Sequence, residues 1–406
     1  MNRLKIAAIA FGVLINGHAL CAQDTATSEQ GDAAPQSETE NVQQEHSPVF
    51  DRLLTKIKGV VGNRLEEGFA GFHPRIGSVT HGSGFGLGAE YRSSGLAGDR
   101  IEFRLSAQAT RLNYKRYQAG LRLPRLAGGW VTVEFDGLHR DYPRESFYGL
   151  GVDSLANART DYHLKDTGAS AVFKVHLRPW LSAGIRGGVL DTGVSRGADP
   201  RFNSIEDVFS DPGTPGVQAH TRYKLLSAFA EADTRDEIGN PRSGSLYAAS
   251  VTSYDDRKPA QFSFTAYQAE AQHYIPFFNK RRVVALRALV FATDTAAGQE
   301  VPFFMQPRLG GGHDLRGFAD SRFTDRNSAA FNAEYRWELL SGLDMVVFGD
   351  AGQVAGSISD FRLDKFRTSY GLGLRVNTAR SVFLRADLGF SRQEGRQLSL
   401  SFGHVF

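Results

Sequence analysis

From residue 72 to residue 406 the chain keeps a period of two, and this pattern restricts its fold more than any other feature. In residues 381–391, Val382, Leu384, Ala386, Leu388 and Phe390 form one face. Ser381, Phe383, Arg385, Asp387 and Gly389 form the other. Successive side chains of a strand point to opposite faces, so the alternation reads as β. A soluble sandwich also alternates, with charge on its outer face. Repetition along the chain separates the two readings. Tyr370, Leu372, Leu374 and Val376 oppose Ser369, Gly371, Gly373 and Arg375. Phe331, Ala333, Tyr335 and Trp337 oppose Asn332, Glu334, Arg336 and Glu338. Leu398, Leu400, Phe402 and Phe406 oppose Gln397, Ser399, Ser401 and Gly403. Charge falls again and again opposite the apolar face, as in a barrel with lipid outside and water within.

Segments of this kind centre near Ile76, Gly86, Phe103, Ala119, Val133, Val172, Gly184, Phe229, Ala249, Ala266, Leu286, Glu334, Val347, Leu372, Leu384 and Leu400. They number about 16, an even count suited to a closed bacterial barrel. The first is the weakest. Closure matters because an open sheet edge in hydrocarbon leaves backbone groups unsatisfied. The longer connections, near residues 141–161, 195–218 and 293–327, fit the outer side. Tight ones such as 377–380 fit periplasmic turns. Phe406, ending an alternating strand, fits the terminal recognition residue of such barrels.

Composition agrees. Phe (29), Tyr (13) and Gly (44) are abundant, yet mean hydropathy is only −0.30, so no helical membrane protein is implied. Alternating faces average out and conceal the membrane in bulk hydropathy.

The N-terminal 70 residues read differently. Arg3 and Lys5 precede an apolar run over residues 6–15, and small residues follow over 17–22. This is the three-part pattern of an export signal. The run is shorter than the roughly 20 residues of a spanning helix. Cleavage falls after Cys21 or Ala22. Lipidation of Cys21 is disfavoured by the bulky Leu20 before it. Cys21 is the only cysteine, so the exported chain has no internal disulfide, and no Cys/His zinc spacing occurs.

Residues 23–48 carry Asp24, Glu29, Asp32, Glu38, Glu40 and Glu45 with no Lys or Arg, and too few apolar residues to bury a core. Setting these acids and the two leader bases aside leaves 45 basic against 38 acidic residues, a remainder of about +7. Such a barrel suits anionic headgroups, so outer-membrane lipids and lipopolysaccharide are expected partners. The basic residues form no stripe, and nucleic acid is not an expected partner. Phe50, Leu53, Leu54, Ile57, Val61 and Leu65 recur at helical spacing, so residues 49–67 read as a short amphipathic helix. It packs on or threads into the barrel, or lies on the inner leaflet. The expected organisation is signal peptide 1–22, acidic disordered segment 23–48, helix 49–67 and barrel 68–406. The fold class is all-β: a closed antiparallel transmembrane barrel of about 16 strands with a short N-terminal amphipathic helix.

One connection contains Pro307-Arg308-Leu309-Gly310-Gly311-Gly312-His313-Asp314-Leu315-Arg316-Gly317-Phe318. Further pieces follow: Glu334-Tyr335-Arg336, then Val347-Phe348-Gly349-Asp350-Ala351-Gly352, then Tyr370-Gly371-Leu372-Gly373-Leu374-Arg375. Upstream stand Phe147-Tyr148-Gly149-Leu150-Gly151, Asp233-Thr234-Arg235-Asp236 and Pro241-Arg242-Ser243-Gly244. As an ordered set over residues 72–406, these pieces resemble the BamA/TamA-like outer-membrane superfamily, also called bacterial surface antigens. The resemblance implies a loop folded back into the lumen, with Arg316 meeting Asp350 and Glu334 on the wall. Gly317 would let the loop turn tightly and Phe318 would wedge it. Phe348, Gly352, Gly371, Gly373 and Phe406 would carry the barrel signature. Parity agrees for Asp350 and Glu334, which fall on the inward face. Gly84, Gly86, Gly88, Gly371 and Gly373 would leave room for the loop. The motif serves either as a plug that stabilises the barrel or in a transport cycle.

Members of that family carry periplasmic POTRA modules, where this sequence offers only the acidic segment and the helix. An insertase role would then act through the barrel seam alone. Enzymatic readings fail on context. Residues 82–88 space glycines at period two with no helix following, so no nucleotide loop is indicated. Gly310-Gly311-Gly312 lacks a Gly-Lys-Ser/Thr, and no Gly-x-Ser-x-Gly elbow is present. No catalytic residue, metal or cofactor is expected. Three functions stay open. One is assistance to protein or lipid transport or insertion. The others are a passive channel plugged by its Arg-Gly-Phe loop, and a structural homo-oligomer. Localisation in the outer membrane makes the barrel-assembly machinery a partner for the chain's own insertion.

Overall fold

A computed structural model describes residues 71–80, 82–96, 100–210, 213–378, 382–402 and 406. The expected signal peptide, acidic segment and amphipathic helix lie outside the described residues. The strands are β1 (Phe72–Ile76), β2 (Gly86–Leu96), β3 (Ile101–Thr110), β4 (Lys115–Leu126), β5 (Val131–Phe147) and β6 (Thr160–Arg178). They continue with β7 (Leu181–Arg196), β8 (His220–Asp233), β9 (Gly244–Asp256), β10 (Phe264–Phe277), β11 (Arg282–Asp294) and two short strands, β12 (Arg308–Leu309) and β13 (Phe323–Thr324). The last five are β14 (Asn327–Leu340), β15 (Leu343–Ala355), β16 (Arg367–Asn377), β17 (Val382–Ser391) and β18 (Gly395–Ser401).

Sixteen strands form one antiparallel sheet in sequence order, with β11 paired to β14. The omitted pair, β12 and β13, forms a small ribbon inside the β11–β14 connection. Each of the sixteen expected centres falls within a strand of the large sheet. The sheet curls until its ends meet. A Cβ on Gly77, just after β1, would lie 2.6 Å from the ring of Phe402, just after β18. The expected weakness of the first strand is visible in its length, 5 residues against 19 in β6.

Parity decides what faces out. Leu105, Phe135, Ile185, Leu226, Phe331, Val347, Tyr370, Leu372 and Leu398 are large, apolar and exposed. In lipid each is favoured over water by about 1.5–3 kcal/mol. The alternate positions of the strands turn inward, among them Arg140, Asp166, Asn332, Glu334, Asp350, Arg375, Arg385 and Asp387, all buried.

The lumen is not uniformly polar, contrary to what the alternation implies. At the long-loop end it holds an aromatic core. Tyr142, Tyr162, Tyr223, Tyr254 and Phe264 point inward from the strands. The connection before β12 supplies Phe303, Phe304 and Met305, and that between β7 and β8 supplies Ile205 and Val217. Phe303 lies 4.9 Å, ring to ring, from both Phe147 and Tyr162. At the short-turn end the β8–β9 turn folds beneath the lumen. Arg242 reaches Asp344 at 2.8 Å, and the Val382 amide donates to the Gly239 carbonyl at 3.3 Å.

Three points depart from expectation. Residues 141–147 continue β5 rather than looping, and a β15–β16 connection with two short 3-10 turns was not foreseen. Phe406 does not share the outer face with Leu398 and Leu400. It is buried inside, against Tyr274, Val283 and Ala285, with its carbonyl accepting from the Tyr274 hydroxyl at 2.8 Å. The sheet stops at Ser401, so alternation no longer governs where residue 406 points.

Candidate functional site

The loop between β12 and β13 enters the lumen, and its local chemistry sets its shape. Gly310 and Gly311 have φ of 120° and 92°, conformations that favour glycine. The Asp314 carboxylate accepts the amides of Gly310 at 2.7 Å and Leu315 at 2.6 Å, which closes the turn. The Gly311 amide donates to the Phe318 carbonyl at 3.2 Å. Burial pushes the Asp314 carboxyl up to about 7, against the lowering effect of those two amides. Burial, followed by the nearby Glu145, likewise raises Asp320 to about 6.

Arg316 projects from this turn onto the wall and is fully buried. Its Nε and Nη2 donate to the two oxygens of Asp350 at 3.0 and 2.6 Å, and its backbone amide adds a third bond at 3.1 Å. Its Nη1 donates to Glu334. The guanidinium lies 3.6 Å above the Phe348 ring, a cation–π contact on the desolvated side. Asp350 also accepts from Asn332 at 2.9 Å and Ser369 at 3.2 Å. Glu334 further accepts from Arg336 at 2.7 Å and Arg375 at 3.2 Å. Arg375 continues to Asp387 at 2.7 Å, which pairs with Arg385 at 3.1 Å. Arg385 donates back to the loop at the Gly312 carbonyl, 2.7 Å away. Four guanidiniums thus share three carboxylates in a network satisfied largely by its own members, the condition under which buried charge is tolerated.

Two more arginines fix the ends of the loop. Arg308 donates to Glu145 at 2.9 Å and to the Tyr162 hydroxyl at 3.0 Å. Arg322 pairs with Glu394 in the β17–β18 turn and donates to the Ser154 carbonyl at 2.6 Å.

The other anticipated residues are placed as follows. Phe318 is buried with Leu309, Leu315, Phe323, Ala330 and Val354, and meets the Phe323 ring at 5.2 Å. A Cβ on Gly352 would stand 3.0 Å from Leu309 and 3.3 Å from Leu315, so this glycine admits the loop's leucines. Gly371 makes room for Phe348, whose ring would lie 2.4 Å from a Cβ there. Gly373 makes room for Asp387 and Arg375 rather than for the loop. Gly84 is exposed before β2, and Gly88 abuts the β3 backbone. Gly317 has no positive φ. Its need is close approach, since a Cβ would meet the Phe390 backbone and the Ser369 side chain at 2.7 Å. The glycine that admits the loop backbone is Gly389, where a Cβ would lie 2.2 Å from the Arg316 carbonyl oxygen.

Gly389, Asn332, Ser369, Arg322 and Glu394 were missed. Inward parity was a signal for the first three. Nothing local signalled Arg322 and Glu394, which meet only through the fold.

A family model described as the Omp85 superfamily domain matches residues 97–406. No curated protein sequence matches the chain. Among solved structures, BamA from Haemophilus ducreyi lacking POTRA domains 1-3 is similar, with TM-score 0.63 and 14% identity over 82% of this chain and 70% of that one. CdiB from Escherichia coli gives TM-score 0.56 and 13% identity over 83% of this chain. CdiB from Acinetobacter baumannii gives 0.52 and 12% over 82%. The chain spans 63% and 59% of those two CdiB chains. At such identities the likeness is one of fold.

Proposed function

The chain belongs to the Omp85 superfamily, as an outer-membrane β-barrel of that family, and from this premise we propose that it assists the transport or insertion of protein or lipid at the outer membrane. The observation that carries the proposal is the fastening of the Arg316 loop to the final strands. Through Arg316, Arg385 and Arg322 the loop holds β14, β15, β17 and the β17–β18 turn, next to the place where β18 meets β1. Two of the loop's three arginines, Arg316 and Arg322, pair with carboxylates of the final strands, and the third, Arg308, ties the start of the loop to Glu145 of β5. The reading is of a non-enzymatic barrel, with membrane lipids and the barrel-assembly machinery as its partners.

The experiment is a cysteine pair joining the ends of the sheet, Gly77→Cys with Phe402→Cys, compared with deletion of the gene. Deletion is expected to change particular outer-membrane proteins or lipids. The oxidised pair should keep the barrel folded and reproduce the deletion. Full activity of the oxidised pair would reject the proposal.

A second reading, a channel plugged by the loop, is favoured by the solvent-reached charges on the lumen side of β3, β5 and β7, including Arg104, Asp136 and Arg186. It requires steady single-channel conductance that rises when residues 310–322 are shortened.

A further inference from the structure

Away from the Arg316 network, the wall of β2 to β5 places like charges side by side. Arg92 stands directly opposite Arg104, and Arg116 directly opposite Arg140. Directly opposed like charges on one face of a sheet destabilise the pairing. In each pair one member has a carboxylate. Arg92 pairs with Glu90, and Arg140 pairs with Asp166. The other members, Arg104 and Arg116, make no hydrogen bond or ion pair among the described residues. Arg116 is only 7% exposed, and its Nε is buried without a partner. A buried guanidinium normally has a partner, because desolvating it alone is costly.

Neighbouring carboxylates do not meet this need. Glu90 is held between Arg75 and Arg92, and Asp166 is engaged by Arg140. Asp136 and Arg104 both approach Gly120, where a Cβ would lie 3.4 Å from the carboxylate and 3.7 Å from the guanidinium, and no ion pair joins them among the described residues. Arg116 also feels the positive charges of Arg75, Arg104 and Arg140. Between Arg104 and Arg116 the inward positions are Ser106, Gln108 and Gln118, all neutral. Gln108 already donates to the Gly77 carbonyl at 2.9 Å and the Ser106 hydroxyl to the Gln118 side-chain oxygen at 3.5 Å, which leaves the Gln118 amide NH2 as the donor between the two arginines. Two unpaired guanidiniums flanking a neutral donor match the recognition chemistry of a tetrahedral oxyanion.

We propose that the lumen wall between Arg104 and Arg116 binds a small oxyanion of the phosphate class. The anion accepts from both guanidiniums and from the Gln118 amide between them. It neutralises charge that the protein leaves uncompensated.

The test uses the full chain in detergent, with inorganic phosphate as the probe against chloride at matched ionic strength. Phosphate should bind saturably by calorimetry and raise the unfolding temperature. Arg104→Gln and Arg116→Gln should each weaken binding by about tenfold or more, the loss expected of one charge-assisted contact. Lys224→Gln, an exposed outward residue on β8, should leave binding unchanged. Without phosphate, Arg116→Gln should unfold no earlier than the parent, because it removes an unpaired buried charge. Absence of saturable binding to the parent chain overturns the proposal even if no variant folds. Equal binding by the parent and both arginine variants overturns it as well.

Discussion

Gly389 of β17 lies against the backbone of Arg316, so closely that a Cβ there would stand 2.2 Å from the Arg316 carbonyl oxygen and 2.8 Å from the Gly317 amide. The loop rests on the wall backbone to backbone. Gly389→Ala should therefore lift the loop at a cost of about 1–3 kcal/mol, the usual range for overpacking. Gly349→Ala makes the comparison, because a Cβ at Gly349 meets nothing within 4 Å. Protease sensitivity of residues 308–324 reads the difference. Equal sensitivity of the two variants would contradict the contact.

Arg316→Ala leaves Asp350 and Glu334 buried with a partner removed. Breaking a buried ion pair in this way costs about 3–5 kcal/mol. Heat-modified gel mobility and outer-membrane yield should both fall. Arg316→Lys should recover little, because an ammonium cannot make the paired bonds to Asp350 that the planar guanidinium makes. Full recovery by lysine would show that charge alone matters.

Loop docking should depend on pH through Asp314. Its carboxyl is raised from 3.8 to about 7 in the folded loop. Across that window the docked loop holds a proton that the undocked loop has lost. Docking is therefore firmest at the acid end, weakens as pH rises to about 7, and is level above it. Asp320, raised to about 6, acts in the same direction. Asp314→Asn should reduce the dependence and leave the smaller part due to Asp320. Cleavage rates of the loop between pH 5 and 8 measure this. A slope equally steep in Asp314→Asn would assign it to other groups.

Phe406→Ala should destabilise the purified barrel by about 3 kcal/mol, as for other large-to-small changes in a packed site. Tyr274→Phe should cost about 1 kcal/mol through its lost hydrogen bond to the Phe406 carbonyl. Thermal unfolding in detergent separates this packing role from recognition during assembly. An unchanged melting temperature for Phe406→Ala would remove the packing role.

How much of this was legible in the sequence follows from what each feature depends on. All sixteen strand centres were readable because lipid on one side and water on the other impose a period of two. The inward directions of Asp350 and Glu334 followed from the same parity. The aromatic core at the long-loop end was hidden because Tyr142, Tyr162 and Tyr223 occupy inward positions that elsewhere carry charge. Phe406 was misplaced because alternation was extended past Ser401, where pairing has ended. The glycines were read as space for the loop as a group. Only the fold distinguishes Gly389, which receives loop backbone, from Gly371, which receives the Phe348 ring.

The three arginines of the loop have a mechanical consequence. The wall is a single sheet of sixteen strands, so contacts across the lumen resist changes in its cross-section. Arg308 ties the loop to β5 and β6, Arg316 to β14 and β15, and Arg322 to the β17–β18 turn. These ties work as spokes set at different bearings around a rim. The cross-section cannot go out of round, or widen beside the first strand, without slackening at least one of them.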